Sequence, residues 1–277
     1  MGRTFLLLTS DSHVNSTLGL CSPEARLPEG QLVSLARAQE WLWQCFLVGY
    51  WGGGRKLLRR RDKVFGIHAG DGPDMNGKTT QLMTHNPVGA ISMFVDTLRP
   101  MRELCDDGFW MLRGTDGHGG DAGNLEEAAA LLLATTRYPA DSPLASSWEL
   151  RLELEGVRVD ATHHGPAGRL PWTGPNGLQR AAYEILAESV RNGEPPPHLK
   201  VQGHNHVFYD THENAAVRVL ALPCWQISTS YGWKVSPNRR TDIGAVLVIL
   251  EDGRMDVQPF LFRRKVEPRW STENASS

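Results

Sequence analysis

Five short apolar runs in this chain each stop at a cluster of Asp or His. Residues 4–9 run into Ser10-Asp11-Ser12-His13, and residues 64–69 into Gly70-Asp71-Gly72-Pro73-Asp74. Residues 109–112 run into Arg113-Gly114-Thr115-Asp116-Gly117-His118, and residues 157–161 into Thr162-His163-His164-Gly165-Pro166. Residues 199–202 lead to Gly203-His204-Asn205-His206. Continuous apolar runs of this length, bounded by Gly and polar residues, read as buried strands. Between them apolar spacing predicts a helix over 31–50, and capping, composition and stop signals predict helices over 88–105, 124–135 and 178–190. Gly52-Gly53-Gly54 is read as the break after the first of these, and Asn86 and Asn124 as caps. Strands alternating with helices predict an α/β fold, whose ligands bind beyond the C-terminal ends of the strands.

Each cluster alone has a plain structural reading. Asp11 can close an Asx-turn with His13 on the surface, and Gly-His-Asn-His can be a surface loop. Five strand ends carrying the same two residue types are much harder to obtain by chance. His204 and His206 share a face if the chain stays extended, so both can reach one site. His163 and His164 are adjacent, so extended geometry sends one toward a metal and the other to a supporting position or a pocket wall. Imidazole and carboxylate together suit Mn, Fe, Zn or Ni. A carboxylate such as Asp71 can bridge two ions at the roughly 3.5–4 Å spacing of two-metal phosphoryl-transfer sites.

Other features narrow the class. The 277 residues are 40% apolar and 22% charged with net charge −2, so overall charge names no partner. Four scattered cysteines, with no Cys-x-x-Cys, offer neither a disulfide framework nor a thiolate zinc site. No apolar run is long enough for a membrane span, and a cytoplasmic protein is expected. Arg55, Lys56, Arg59, Arg60, Arg61 and Lys63 form a basic run, readable as a phosphate contact or as a solvated helix end. After His206 the pattern predicts strands only, at 207–211, 217–222, 225–230, 243–250 and 255–262, with a hairpin turn at Asp252-Gly253. Residues 1–262 are expected as one domain and 263–277 as a frayed tail.

Gly72 to Thr79 also fits the phosphate-cradling pattern G-x-x-x-x-G-K-T. A P-loop NTPase using Lys78 and Thr79 is therefore an alternative. It requires a helix opening directly after Thr79, and it leaves the His clusters unused.

The order of the five clusters resembles that of the calcineurin-like metallophosphoesterases: D-x-H, G-D-x-x-D, G-N-H-[DE], a later His, and G-H-x-H. The resemblance spans residue 4 to about 250. One motif departs from the pattern: Gly-Thr-Asp-Gly-His stands where the family has Gly-Asn-His, as in phage-like and environmental variants. The resemblance implies a four-layer α-β-β-α sandwich, two mixed sheets flanked by helices. It implies two divalent metal ions, manganese being the ion expected to serve in vitro. Asp11, His13, Asp71 and His206 would hold one, and Asp71 would bridge to a second completed by His163, His204 and either Thr115 or Asp116. It further implies hydrolysis of phosphomono- or phosphodiesters by a hydroxide formed on the metals, with His118 assisting the leaving group and Asp71 indispensable to the reaction. The expected partner is a phosphoester, with nucleotide or nucleic acid among the candidates and no membrane. Arg169 and Trp225 are the candidate substrate contacts, with Trp172 and Tyr231 as further aromatic surfaces. A scaffold of this fold that binds a partner without turnover is the non-enzymatic alternative.

Overall fold

The computed structural model describes residues 3–166, 173–212, 216–238 and 240–264. Each of the five apolar runs is a strand, and each strand ends where its polar cluster begins. They are β1 (Thr4–Thr9), β2 (Lys63–His68), β3 (Gly108–Leu112), β6 (Val157–Thr162) and β7 (Leu199–Gln202). The remaining strands are β4 (Ser146–Ser147), β5 (Glu149–Leu154), β8 (Tyr209–Asp210), β9 (Arg218–Ala221), β10 (Ile243–Glu251) and β11 (Arg254–Phe262).

Two mixed sheets result, with orders β11-β10-β1-β2-β3-β4 and β5-β6-β7-β9-β8. In the first sheet β1, β2, β3 and β4 are parallel and β10 and β11 antiparallel; in the second β6, β7 and β9 are parallel. Alternation along β1 divides the core. Leu6 and Leu8 point between the sheets, where they meet Val159, Val201 and Leu220. Phe5 and Leu7 point to the helical layer beside Phe46, Phe94 and Phe109. The helices are α1 (Arg37–Gln44), α2 (Gly52–Leu57), α3 (Pro87–Leu104), α4 (Asp116–Gly119), α5 (Asn124–Leu132), α6 (Gly174–Asn192) and α7 (Ser230–Val235). Helix α6 covers the second sheet, packing Leu178 and Ala182 on Val219 and Ala221. The layers are therefore helix, sheet, sheet, helix, as the resemblance implied.

Three local expectations fail for identifiable reasons. The glycines 52–54 do not break the first helix, which passes through a π-helical stretch, Cys45–Trp51, into α2. Gly49 and Gly53 there admit the rings of Phe262 and Phe260 from β11, where a Cβ would collide. Packing outweighs a propensity cost of about 1 kcal/mol per glycine. Residues 225–230 are not a strand; Thr229 instead caps α7, its Oγ1 accepting from the Gly232 N–H at 3.1 Å. Asn124 is the first residue of α5 rather than its cap, which is Gly123.

The P-loop alternative also fails on geometry. After β2 the chain runs without a helix until Pro87, capped by Asn86 at 2.9 Å to the Val88 N–H, and Lys78 is exposed in that loop. No described helix is long and apolar enough to cross a membrane. Of the expected tail, residues 265–277 lie outside the described residues.

Candidate metal centre

The parallel strands of both sheets deliver their clusters to one place. The backbone there is unusual: Asp11, His13, Asp71, His204 and His206 all have positive φ, between 43° and 70°. Asp and His enter the left-handed region more readily than most residues, yet each such residue costs free energy that the surroundings must supply. Five together turn the chain sharply at the strand ends and aim the side chains inward. Gly70, at φ 91°, makes the same turn possible ahead of Asp71, and the His163 ring lies where its Cβ would be.

Two groups of side chains converge. In the first, His206 Nε2 lies 3.2 Å from Asp11 Oδ1 and 3.1 Å from His13 Nε2. In the second, Thr115 Oγ1 is 3.4 Å from His163 Nε2, 3.4 Å from His164 Nε2 and 3.3 Å from His204 Nδ1. Asp71 stands between them. Its Oδ2 is 4.0 Å from His13 Nε2 on one side, and 3.3 Å from both His163 Nε2 and Thr115 Oγ1 on the other. The ligand-type atoms of Asp11, His13 and His206, and likewise those of His163, His164 and His204, all lie within 4.8 Å of one another.

Backbone and side-chain partners fix these groups. The Thr115 N–H donates to Asp71 Oδ1 at 2.6 Å, and the His204 N–H to Asp11 Oδ2 at 2.9 Å. Ser10 Oγ donates to the same Asp11 oxygen at 2.5 Å. Asp74 uses both oxygens, Oδ2 to His13 Nδ1 and Oδ1 to His118 Nδ1, each at 3.0 Å. Asp74 thus sets the tautomer of two rings at once. It belongs to the Gly-Asp-x-x-Asp cluster, but nothing in the spacing alone assigns it that work.

The electrostatics are those of a site that needs positive charge. Burial would raise the Asp11 carboxyl, but His206, His163 and His13 hold it well below the usual carboxylate range. Burial opposes the low value of Asp71 too, and His163 overrides it. His163 is pushed up to about 9: burial works against its charge, while Asp71 and Asp11 outweigh it. For His118 burial again opposes, and the hydrogen bond to Asp74 raises it. Burial lowers His204 and His164.

The donor set fits divalent cations. His163 Nδ1 donates to the Ala69 carbonyl at 2.6 Å, so a neutral ring presents a lone pair on Nε2 to the Asp71 oxygen. His13 Nδ1 is taken by Asp74, so its Nε2 likewise offers a lone pair. Asp11 Oδ1 is buried without a hydrogen-bond partner. Acceptors facing acceptors in a buried site require either a proton on a ring or a cation between them.

The sequence-derived candidates fare unequally. Asp11, His13, Asp71, Thr115, His118, His163, His164, His204 and His206 come together. His163 and His164 both turn their Nε2 atoms to the same threonine, because the chain leaves extended geometry after Thr162 and alternation no longer applies. Asp116 is exposed at the start of α4 and outside both groups. Trp225 is not a substrate contact. It is fully buried, its indole N–H donating to Thr9 Oγ1 at 2.7 Å and its ring packed on Phe46, so it supports the Asp11 loop from beneath. Arg169 and Trp172 lie outside the described residues. The basic run 55–63 sits before β2, whereas Asp71 follows it; a six-residue strand separates them by about 20 Å. It therefore does not line the centre.

Comparison with known proteins adds little beyond this. No family model matches the chain, and no curated protein matches it. Similar solved structures include a dimetal phosphatase from Danio rerio, at 10% identity over 92% of this chain and 95% of that one, TM-score 0.47. Another is a conserved uncharacterised protein from Streptococcus pneumoniae, described as a predicted phosphoesterase, at 14% identity over 94% and 90%, TM-score 0.38. A third is Vps29 from Entamoeba histolytica in complex with zinc, at 13% identity over 94% and 99%, TM-score 0.40. At these identities nothing about activity passes from them to this chain.

Proposed function

We propose that the chain is a metal-dependent phosphoesterase acting on phosphomono- or phosphodiesters. The observation that carries this reading is the Asp71 carboxylate shared between two His-rich groups, with His118 beside them. Asp11, His13, Asp71 and His206 would hold one divalent cation, and Asp71, Thr115, His163, His204 and His164 a second. Two such cations, when bound, polarise a phosphoester oxygen and supply a nucleophile near neutral pH.

The chain's own residues do the rest. The buried carboxylates of Asp11 and Asp71 stay ionised, which keeps them available as anionic ligands. Ser10 and the His204 N–H hold Asp11 in one orientation, and the Thr115 N–H holds Asp71. His118 has Nδ1 committed to Asp74, so Nε2 is the nitrogen free to hand a proton to the departing oxygen. The Asp74 carboxylate stabilises that ring in its charged form, which suits a general acid.

The test is a panel of aryl monoester and aryl diester hydrolysis. Chelator-treated protein should be inactive and Mn²⁺ should restore it. Asp71→Ala should abolish turnover, while Lys78→Ala, in the exposed loop, should leave it near wild type. Full activity in metal-stripped protein would sink the reading.

A further inference from the structure

A cleft of about 250 Å³ opens against the centre. His118, His204 and His206 form part of its wall. The segment after β9 forms another part, through Gln226, Thr229, Tyr231, Arg240 and Thr241. This segment is the one whose expected strand is replaced by a capped turn and α7; of the residues named here, the sequence singles out Tyr231 alone, as an aromatic surface.

Two properties of the cleft limit what fits. A volume of this size suits a small organic group. Among the described residues lining it, Arg240 is the sole Arg or Lys. Arg240 is exposed and has no ion-pair or side-chain hydrogen-bond partner among the described residues, unlike Arg3, Arg113 and Arg218, which carboxylates hold. An unpaired arginine in the same cleft as Asp71 and the histidines of the centre, across a wall of Gln226, Thr229 and Thr241, is suited to bidentate capture of a carboxylate or phosphate. Tyr231, 52% exposed, adds an aromatic surface in the same wall.

We propose that this cleft holds the organic part of the substrate and that Arg240 binds a second anionic group on it. The substrate class is then a small phosphoester carrying a further phosphate or carboxylate. The inference rests on the phosphoesterase reading for the position of the first phosphate, and on the cleft for everything else.

Matched probes test it with Mn²⁺-loaded full-length protein. One pair is phenyl phosphate and 4-carboxyphenyl phosphate; the other is adenosine 5′-monophosphate and adenosine 3′,5′-bisphosphate. Wild type should favour the member with the second anionic group in kcat/KM by about 10- to 100-fold, the range of a charge-assisted contact. Arg240→Gln should collapse that ratio toward one, and Arg240→Lys should keep part of it. The two pairs separate carboxylate from phosphate as the preferred group. No preference in wild type, or a preference unchanged in Arg240→Gln, overturns the proposal. So does a single-stranded oligonucleotide cleaved far better than either pair without dependence on Arg240. If no probe is hydrolysed at all, the phosphoesterase reading falls, and calorimetry with adenosine 3′,5′-bisphosphate decides this one separately. Binding weakened about tenfold or more by Arg240→Gln sustains the anion site, and binding that is absent or insensitive removes it.

Discussion

At the scale of single residues, the altered third motif is the sharpest question, and the geometry favours Thr115. Charge favours Asp116 as a ligand and position after glycine favours Thr115, so residue types leave the two level. In the fold Thr115 Oγ1 sits among three imidazole nitrogens and the Asp71 oxygen, whereas Asp116 opens α4 in solvent. A neutral hydroxyl there would give a second ion a weaker donor than a carboxylate, and His164 would offer an additional nitrogen. Thr115→Val keeps the shape and removes the oxygen, so it should lower bound metal from two ions toward one. Asp116→Ala should retain two. Elemental analysis of the purified variants decides it: loss of an ion in Asp116→Ala with two kept in Thr115→Val would reverse the assignment. The ligand types were legible because Asp and His announce themselves. Their left-handed backbone, which aims them, was not, because it is imposed by the strand ends and by contacts such as Ser10 with Asp11.

At the scale of elements, α5 shows how a helix read from its acidic first turn and its Ala/Leu-rich run can carry the floor of a site. Its two neighbouring glutamates serve different masters. Glu127 fastens the helix to β4, accepting from the Ala145 and Ser146 N–H groups and from Arg113. Glu126 is fully buried beneath the third motif, with Oε1 accepting from the Gly114 N–H at 3.3 Å and Oε2 unpartnered. Burial, with Asp71 adding to it, pushes its carboxyl from 4.5 up to about 7. A carboxyl whose folded value is raised contributes stability fully present below its unfolded value and lost as pH rises through the folded one. Stability should therefore fall between about pH 4.5 and 7 on account of this group. Glu126→Gln keeps the acceptor and removes the titration. In chelated protein it should be more stable than wild type at pH 8, by about 2–3 kcal/mol, with the gap closing toward pH 4.5. Urea unfolding at the two pH values measures this, and a gap independent of pH would mean that Glu126 is not held neutral. Helix existence was readable here from the expected cap, the acidic first turn and the Ala/Leu-rich run. The burial of a first-turn glutamate was not, because first-turn acids ordinarily face solvent near the helix N-terminus. The same limit hid α7: its Thr-Ser-Tyr-Gly cap is short, and it lies in a stretch whose apolar residues alternate like a strand.

At the scale of the whole molecule, the centre joins the two sheets. Asp11, His13 and Asp71 come from the first sheet, and His163, His204 and His206 from the second, so charge balance in the centre bears on how the layers are held together. In chelated protein that balance falls to protonated imidazole. His163, raised from 6.5 to about 9 by Asp71 and Asp11 against the cost of burial, is the clearest case. A raised imidazole contributes stability fully present below pH 6.5 and lost as pH climbs through about 9. The shift corresponds to at most about 3 kcal/mol, or a fall in Tm of roughly 5–10 °C for a chain of this size. With Mn²⁺ bound the carboxylates no longer need the ring proton, since a ligating imidazole is neutral. Chelated protein should therefore lose thermal stability between pH 6.5 and 9.5, while Mn²⁺-loaded protein should keep a higher Tm with little change over the same interval. Scanning calorimetry of both forms is the measurement. A parallel alkaline decline in the two forms would show that the loss arises elsewhere in the fold, and an unchanged Tm on adding Mn²⁺ would show that the Asp and His groups spanning the two sheets do not hold the ion.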